Sequence, residues 1–527
     1  MKQSKKLVLI TIVSVLILVI LLSVSFLFKK QDKQEASNEA SQSSQDDVAL
    51  RFGVISDLHL QEVDTESAMS VRPKIWLYAN AASTLNQMAG EKLDAFVLAG
   101  DYCGTGSQVQ GTTFANSTRA ILNALNEGKD DKDRTRFLMT YGNHETEVSG
   151  QMDDTQWENL LDDYGLLDDV QKGPTGCYHL EIDKGEDTYH FFSLETEAYV
   201  RPTNMFRVEA LEWLDEELDE VTTKAPHSYV YVISHGLVAG SGVYGSDLAH
   251  DKNAEWGTAR RGFTGTSDDG RETSSDLAVV LEKYPQVIYF SGHTHYTNVL
   301  ESTIMSDKYT AVSVSALNYS IAASMTKHIY LDDIADTKGP GYGLYVEVMK
   351  DGSVRITRFV LQNKSLNKAL VEFDDDTAIV SYVKMTDTEV KWNTLPVWTL
   401  STPNDENTHL DKYRAETRRR IPVFDKDAKL FATKTEDGLL QITFDTATSE
   451  TYIIRYVLEI YGKNGELKDT RWVLGNWVSS HMDADQLSYE ITIEPDMSND
   501  ISGGYIRIFA VDEFDGKSET LEYQLKE

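Results

Sequence analysis

Hydrophobic and polar positions divide the chain into stretches of different character. Leu7 to Phe28 is a run of 22 uncharged residues, which as a helix would span about 33 Å, enough to cross a bilayer core. A secretory signal has a shorter apolar core of roughly 7–15 residues. Residues 1–30 therefore read as a signal-anchor, with a cleaved signal peptide as the alternative through Ser23-Val24-Ser25. Residues 31–48 are polar and lack aromatic side chains, so they cannot bury enough surface to order themselves and predict a disordered tether.

Residues 49–365 alternate apolar runs with helical patterns. Strands are predicted at Leu50–Ile55, Ala95–Ala99 and Phe137–Thr140, with helices near Pro73–Met88 and Ser117–Leu125 between them. This is the alternation of an α/β layered fold. Later strands are expected at Cys177–Ile182, Tyr189–Leu194, Tyr229–Ile233 and Val287–Phe290, and Val208–Leu218 predicts a helix with Leu211, Leu214 and Leu218 on one face. Beyond residue 305 strand follows strand, so the second half of this unit reads as sheet closing on sheet. Residues 366–428 read as a connecting segment, and residues 429–527 as short strands with regular turns, including the hairpin signal Asn464-Gly465. That is the pattern of an all-β sandwich domain.

Composition adds two exclusions. The 527 residues carry 84 acidic and 50 basic side chains, a formal charge of −34, and such a surface repels nucleic acid, so general nucleic-acid binding is not expected. The two cysteines, Cys103 and Cys177, are too few for a disulfide scaffold or a cysteine zinc cluster. Five lysines and no acid flank the apolar run within the first 30 residues. The very short tail before that run favours cytoplasmic retention of the N-terminus, which would leave the bulk of the chain outside the cytoplasm.

Five short segments place metal-competent side chains directly after predicted strands, where loops emerge at one edge of a sheet. They are Ser56-Asp57-Leu58-His59, Gly100-Asp101, Gly142-Asn143-His144-Glu145, Ser234-His235-Gly236 and Gly292-His293-Thr294-His295. Singly each is weak; in this order the set is specific. It resembles the calcineurin-like metallophosphoesterase family, whose pattern is D-x-H, GD, GNH with an acidic residue, H, and G-H-x-H, over roughly residues 50–362.

The resemblance implies a four-layer α/β/β/α sandwich and a metal-dependent hydrolase of phosphoric esters, either phosphodiesterase or phosphomonoesterase, working by a two-metal hydroxide mechanism. It also implies two divalent or trivalent transition-metal ions (Mn, Fe or Zn), a choice that fits mixed imidazole and carboxylate donors. Asp101 is the natural bridge, since paired cations need a shared anionic oxygen. Asp57, His59 and His295 would complete one ion's shell, and Asn143, His235 and His293 the other's. Spacing in His293-Thr294-His295 predicts an extended backbone with both rings on one side, able to face adjacent ions. His144, with Asp101 the candidate catalytic pair, is expected to give a hydrogen bond or proton to the leaving oxygen, oriented by Asp101 or another acid.

Between His235 and His293, Trp256, Arg260 and Arg261 are candidate substrate-binding residues, since aromatic and basic side chains there interrupt an acidic chain. Cys103 reads as a buried neutral thiol, His179 and His190 as structural residues within strands, and Arg418-Arg419-Arg420 as cations paired with the acidic body. The C-terminal ending Tyr505 to Asp512 followed by Asp515-Gly516-Lys517-Ser518 resembles the closing hairpin of a fibronectin-III/Ig-like domain. Expected partners are a phosphoester substrate, the membrane through the N-terminal helix, and cell-wall polymer. The rival reading is a catalytically inactive cell-surface or cell-wall binding protein; loss of activity would normally break a ligand, and every motif residue is intact.

Overall fold

The computed structural model describes residues 47–60, 68–146, 152–196, 205–238, 258–259, 262–267, 270–295, 297–318, 341–361, 365–374, 377–385, 390–436, 439–475, 490–493 and 501–526. The anchor and tether expected at residues 1–46 lie outside them, as do Trp256, Arg260 and Arg261. Among the described residues no helix is long and apolar enough to cross a membrane.

Two mixed sheets of seven strands carry the first half of the body. One runs in the order Asn393–Thr394, Val354–Leu361, Gly341–Met349, Val48–Ile55, Ala95–Ala99, Arg136–Thr140, with Trp398–Leu400 also paired to Val354–Leu361. The other runs Ile304–Ser306, Thr310–Ser313, Val287–Ser291, Val230–Ser234, Asp187–Leu194, Tyr178–Lys184, Val170–Lys172. Ala95–Ala99, Val230–Ser234 and Val287–Ser291 are buried at every position, as parallel strands covered on both faces must be. Phe52 of the first sheet meets Phe191 and Tyr231 of the second edge-on, with ring centroids 5.0 and 4.8 Å apart. A shared apolar core thus joins the two sheets.

Helices cover the outer faces. Val208–Lys224 sets Leu211, Leu214, Leu218 and Val221 into one apolar cluster with Phe192, Val232 and Tyr289 of the second sheet. The predicted face is correct and the helix runs six residues further. Gln108–Leu125 begins well before the predicted Ser117, because Ser107 caps it by accepting from the Gln110 N–H and Phe114 is fully buried. The glycine and threonines at 111–113 hide that start in the sequence, since they are weak helix formers.

Segment 366–428 contributes Asn393–Thr394 and Trp398–Leu400 to the first sheet's edge. Its hairpin Val371–Phe373/Val380–Val383 is tied to Gln108–Leu125 through the Val380 N–H and Asn116 Oδ1, 2.8 Å apart. Further on, Leu467–Leu474, Ile453–Tyr461, Tyr505–Asp512 and Leu521–Gln524 form a four-stranded antiparallel sheet. Its Ile453, Tyr456 and Ile506 share a core with Ile442 and Phe444 of a three-stranded sheet.

A polar node joins these parts. Arg358 is fully buried, donates to the Asn298 carbonyl at 2.7 Å and the Glu301 carboxylate at 2.8 Å, and stacks on Trp398 at 4.0 Å. Arg418 donates to the Ile304 carbonyl at 2.6 Å and lies over Phe514, while buried Glu513 accepts from the Ser302 N–H at 3.0 Å. Arg419 donates to the Phe514 carbonyl and Arg420 pairs with Glu450, both at 2.9 Å. The basic run is therefore engaged with the chain's own acidic and carbonyl groups.

Removing one partner of a buried ion pair leaves an uncompensated charge. Glu301→Ala is expected to lower the unfolding free energy by about 2–3 kcal/mol, less than the roughly 3–5 kcal/mol of a fully buried pair, because Glu301 is 41% exposed. Urea unfolding measures this.

Candidate metal centre

All five motif loops leave the C-terminal ends of strands. Those after Val48–Ile55, Ala95–Ala99 and Arg136–Thr140 come from parallel neighbours in the first sheet. Those after Val230–Ser234 and Val287–Ser291 come from parallel neighbours in the second. Loops emerging at the carboxyl edge of parallel strands are where α/β folds place ligands, and here two such edges meet.

The loops are laced to one another by backbone hydrogen bonds. The His59 N–H donates to the Asp101 carbonyl at 2.9 Å, the Gly292 N–H to the His235 carbonyl at 3.0 Å, and the His293 N–H to Asp57 Oδ2 at 3.0 Å. This lacing holds an unusual backbone. Nine described non-glycine residues have positive φ, and five of them are Asp57 (+55°), His59 (+47°), Asp101 (+52°), His293 (+71°) and His295 (+54°). Such conformations cost of order 1–3 kcal/mol each and cluster at functional sites. They also correct the extended His293-Thr294-His295 expected from sequence: both histidines sit in the left-handed region, so the chain bends there while the two rings face adjoining clusters.

Two motif glycines are required by space. A Cβ on Gly100 (φ +84°) would lie 2.6 Å from His235 Nδ1, and one on Gly292 would overlap the Ser56 hydroxyl and sit 2.6 Å from Asp57 Oδ2.

The side chains gather as two adjoining sets. Asp57, His59 and His295 form one, with His59 and His295 Nε2 3.2 Å apart and His295 Nε2 3.0 Å from Asp57 Oδ1. Asp101, His235 and His293 form the other. There His235 Nε2 is 3.0 Å from Asp101 Oδ2, and His293 Nδ1 is 2.9 Å from Asn143 Oδ1. Asp101 Oδ2 lies between the sets, 3.8 Å from His59 Nε2. His235 Nδ1 faces the Ala99 carbonyl at 2.7 Å, which assigns its proton there and turns Nε2 toward the carboxylates.

The electrostatics are those of a site built for cations. Burial opposes charge on Asp57, yet His295 and His235 hold its carboxyl well below the usual range. Burial likewise works against a proton on His235, but the Asp101 and Asp57 carboxylates outweigh it and lift the imidazole to about 10. Burial pushes His59 down to about 4. Asp57 Oδ1 is buried without a properly directed hydrogen bond, although two imidazole nitrogens lie within 3.7 Å of it. Carboxylate and imidazole donors gathered this closely suit a transition-metal ion.

His144 is partly exposed beside this pocket. Its Nδ1 lies 2.7 Å from the Gly104 carbonyl and its Nε2 3.9 Å from Asp101 Oδ2. Asp101, expected to orient this residue, accepts from the His144 N–H at 2.9 Å, and the Gly104 carbonyl joins it because the short helix Asn143–Thr146 carries Nδ1 there.

Glu145 has a role the sequence reading did not assign. Fully buried, its carboxylate accepts the N–H groups of Asp101 (3.0 Å), Cys103 (2.8 Å) and Gly142 (2.8 Å), bracing two motif loops against each other. Burial and the Asp101 carboxylate push it up to about 8, against the pull of those N–H groups; cations beside Asp101 would relieve that repulsion. The signal for it is the acid directly after Asn143-His144. Lys74, also not singled out, donates to the His59 carbonyl at 2.5 Å.

Cys103 and Cys177 are free and buried, and burial holds the Cys103 thiol neutral. Within the insertion, Arg271 pairs with Glu209 at 2.8 Å and Phe263 is exposed.

Residues 50–297 match the calcineurin-like phosphoesterase family. The match supports a metallophosphoesterase hydrolase, and the histidine and aspartate clusters of the motif loops lie within the matched residues. No curated protein matches the chain. Among solved structures, chitinase ChiA74 from Bacillus thuringiensis is similar at 10% identity with a TM-score of 0.14, covering 88% of this chain and 63% of its own. A likeness of that size carries no argument, and the chain spans less than two thirds of that protein.

Each buried N–H left without an acceptor costs about 1–3 kcal/mol. Glu145→Ala is expected to lose about 3–5 kcal/mol of stability and most of the bound metal. Glu145→Gln, which keeps the shape and one oxygen, should lose less of both. Urea unfolding and metal analysis of the two variants check this.

Proposed function

We propose that the protein is a two-metal hydrolase of phosphoric esters acting outside the cytoplasm, anchored by Leu7–Phe28. The observation that carries this reading is the pair of adjoining donor sets with Asp101 between them. Asp57, His59 and His295 would hold one ion and Asn143, His235 and His293 the other, with Asp101 common to both; Mn, Fe and Zn suit these donors. A four-layer α/β/β/α arrangement and a fibronectin-III/Ig-like class for the C-terminal strands accord with the sheets described above.

When bound, such ions supply Lewis acidity toward a phosphoryl oxygen and make a water acidic enough to attack at neutral pH. The chain's own residues do the rest. The loops' left-handed turns and backbone lacing fix the donors before substrate arrives, so little reorganisation is needed. His144, with 36% of its side chain exposed, would hold a proton at Nε2 for the leaving oxygen, with Nδ1 tied to Gly104.

The acidic exterior, net −34, confines anion binding to this pocket, where divalent charge dominates the local field. Trp256, Arg260 and Arg261 are proposed to line the substrate side, and cell-wall polymer is proposed as a second partner.

Hydrolysis of mono- and bis-nitrophenyl phosphate should be abolished by a chelator and restored by Mn²⁺, and Asp101→Asn should lower kcat/KM by at least about 10³-fold. A metal-replete, folded protein inert toward both esters would overturn the reading, and the ratio of the two rates assigns monoester or diester preference. His144→Ala should lower kcat about 10²–10⁴-fold on alkyl phosphates, and much less on nitrophenyl esters, whose leaving group departs without a proton. Steady-state kinetics with both leaving groups, at equal metal content, decide that role.

A further inference from the structure

The second sheet carries another cluster of ligand-type side chains, none of which belongs to the centre above. On its antiparallel hairpin His179 and Glu181 alternate along Tyr178–Lys184, and His190 on Asp187–Leu194 lies directly across from Glu181. The pleat sets all three on one face.

His179 Nε2 and His190 Nδ1 are 3.1 Å apart. Glu181 Oε1 lies 3.4 Å from His190 Nδ1 and 3.9 Å from His179 Nε2. Ligands bound tetrahedrally to zinc at about 2.0–2.1 Å stand about 3.3 Å from one another, so these separations need only small adjustment around one ion. Gln171 Nε2 donates to the other oxygen, Glu181 Oε2, at 3.0 Å, leaving Oε1 turned toward the imidazoles. Behind His179, Nδ1 faces Glu217 Oε2 at 3.7 Å, from helix Val208–Lys224. A carboxylate beyond a histidine is the arrangement that orients metal-bound imidazoles.

The His179 ring is fixed against Phe192, with centroids 4.1 Å apart, whereas the Glu181 side chain is 41% exposed. An ion would thus enter from solvent onto a rigid donor. Burial keeps both imidazoles below their ordinary value, His179 at about 4, so each is neutral at neutral pH, as a ligand must be. Of the nearby charges, Glu220 at both rings and Glu181 and Asp183 at His190 favour positive charge there, while Lys224, paired with Glu220 at 2.5 Å, opposes it.

We propose that His179, Glu181 and His190 form a separate binding site for a zinc-class transition-metal ion, with water in the fourth position, which pins the hairpin to helix Val208–Lys224 through Glu217. The site shares no residue with the phosphoesterase centre, so its test can fail without touching the proposed reaction.

The test uses the full-length chain in detergent, with zinc content measured after dialysis and Co²⁺ titrated by its visible absorption. Wild type is expected to retain one more zinc per chain than His190→Gln, with nitrophenyl ester hydrolysis equal in the two. Glu181→Gln, at a solvent-facing position that tolerates change, should weaken Co²⁺ binding at this site by about tenfold or more. Should His190→Gln fail to fold, the Glu181→Gln titration decides alone. Equal zinc content and equal Co²⁺ affinity across the folded proteins would overturn the proposal.

Discussion

Carboxylates and imidazoles packed within 3–4 Å of each other in a buried pocket leave lone pairs pointing at lone pairs, an arrangement that is stable only when positive charge sits among them. The rest of the structure is organised around meeting that condition. Asp57 and Asp101 are almost wholly buried, and the two aspartates favour a proton on His235, lifting its imidazole far above its usual range. A metal ion performs the same balancing with more charge and releases that proton. Binding metal and closing the electrostatic account of the pocket are therefore one event.

Holding donors so close has a backbone cost, which the fold distributes. Five donor residues take left-handed conformations, and hydrogen bonds between loops hold Asp57, His59, Asp101 and His293 there. The Asp57 N–H reaches Gly100, the His59 N–H reaches Asp101, and Glu145 gathers three further N–H groups. Parallel strands make this possible, because their carboxyl ends all release loops on one side. The core around Phe52 keeps the two sheets in contact, and the node of Glu301, Arg358 and Arg418 locks the turn Glu301–Thr303, which follows the last motif, to later parts of the chain.

Much of this was legible in the sequence, for local reasons. Apolar runs of five to eight residues mark strands, and short motifs after them mark the loops, so the ligand candidates could be named before their neighbours were known. What was hidden depends on contacts distant in sequence. His293 and His295 take left-handed turns, with the His293 N–H held by Asp57, so i, i+2 spacing pointed to the wrong backbone. Glu145 was visible only as an acid in a motif, since its three N–H partners come from elsewhere. His179 and His190 read as strand residues because their pairing is set by hairpin register. Asn393–Thr394 and Trp398–Leu400 are too short to carry a pattern, so their place in the first sheet was invisible.

The central claim is that two ions share Asp101. Electron paramagnetic resonance of the Mn²⁺-loaded protein tests it most directly, because two ions bridged by one carboxylate are magnetically coupled while separate ions are not. The account predicts a coupled-pair spectrum that collapses to that of an isolated ion in Asp101→Asn. An uncoupled single-ion spectrum from the fully loaded wild-type protein would contradict it.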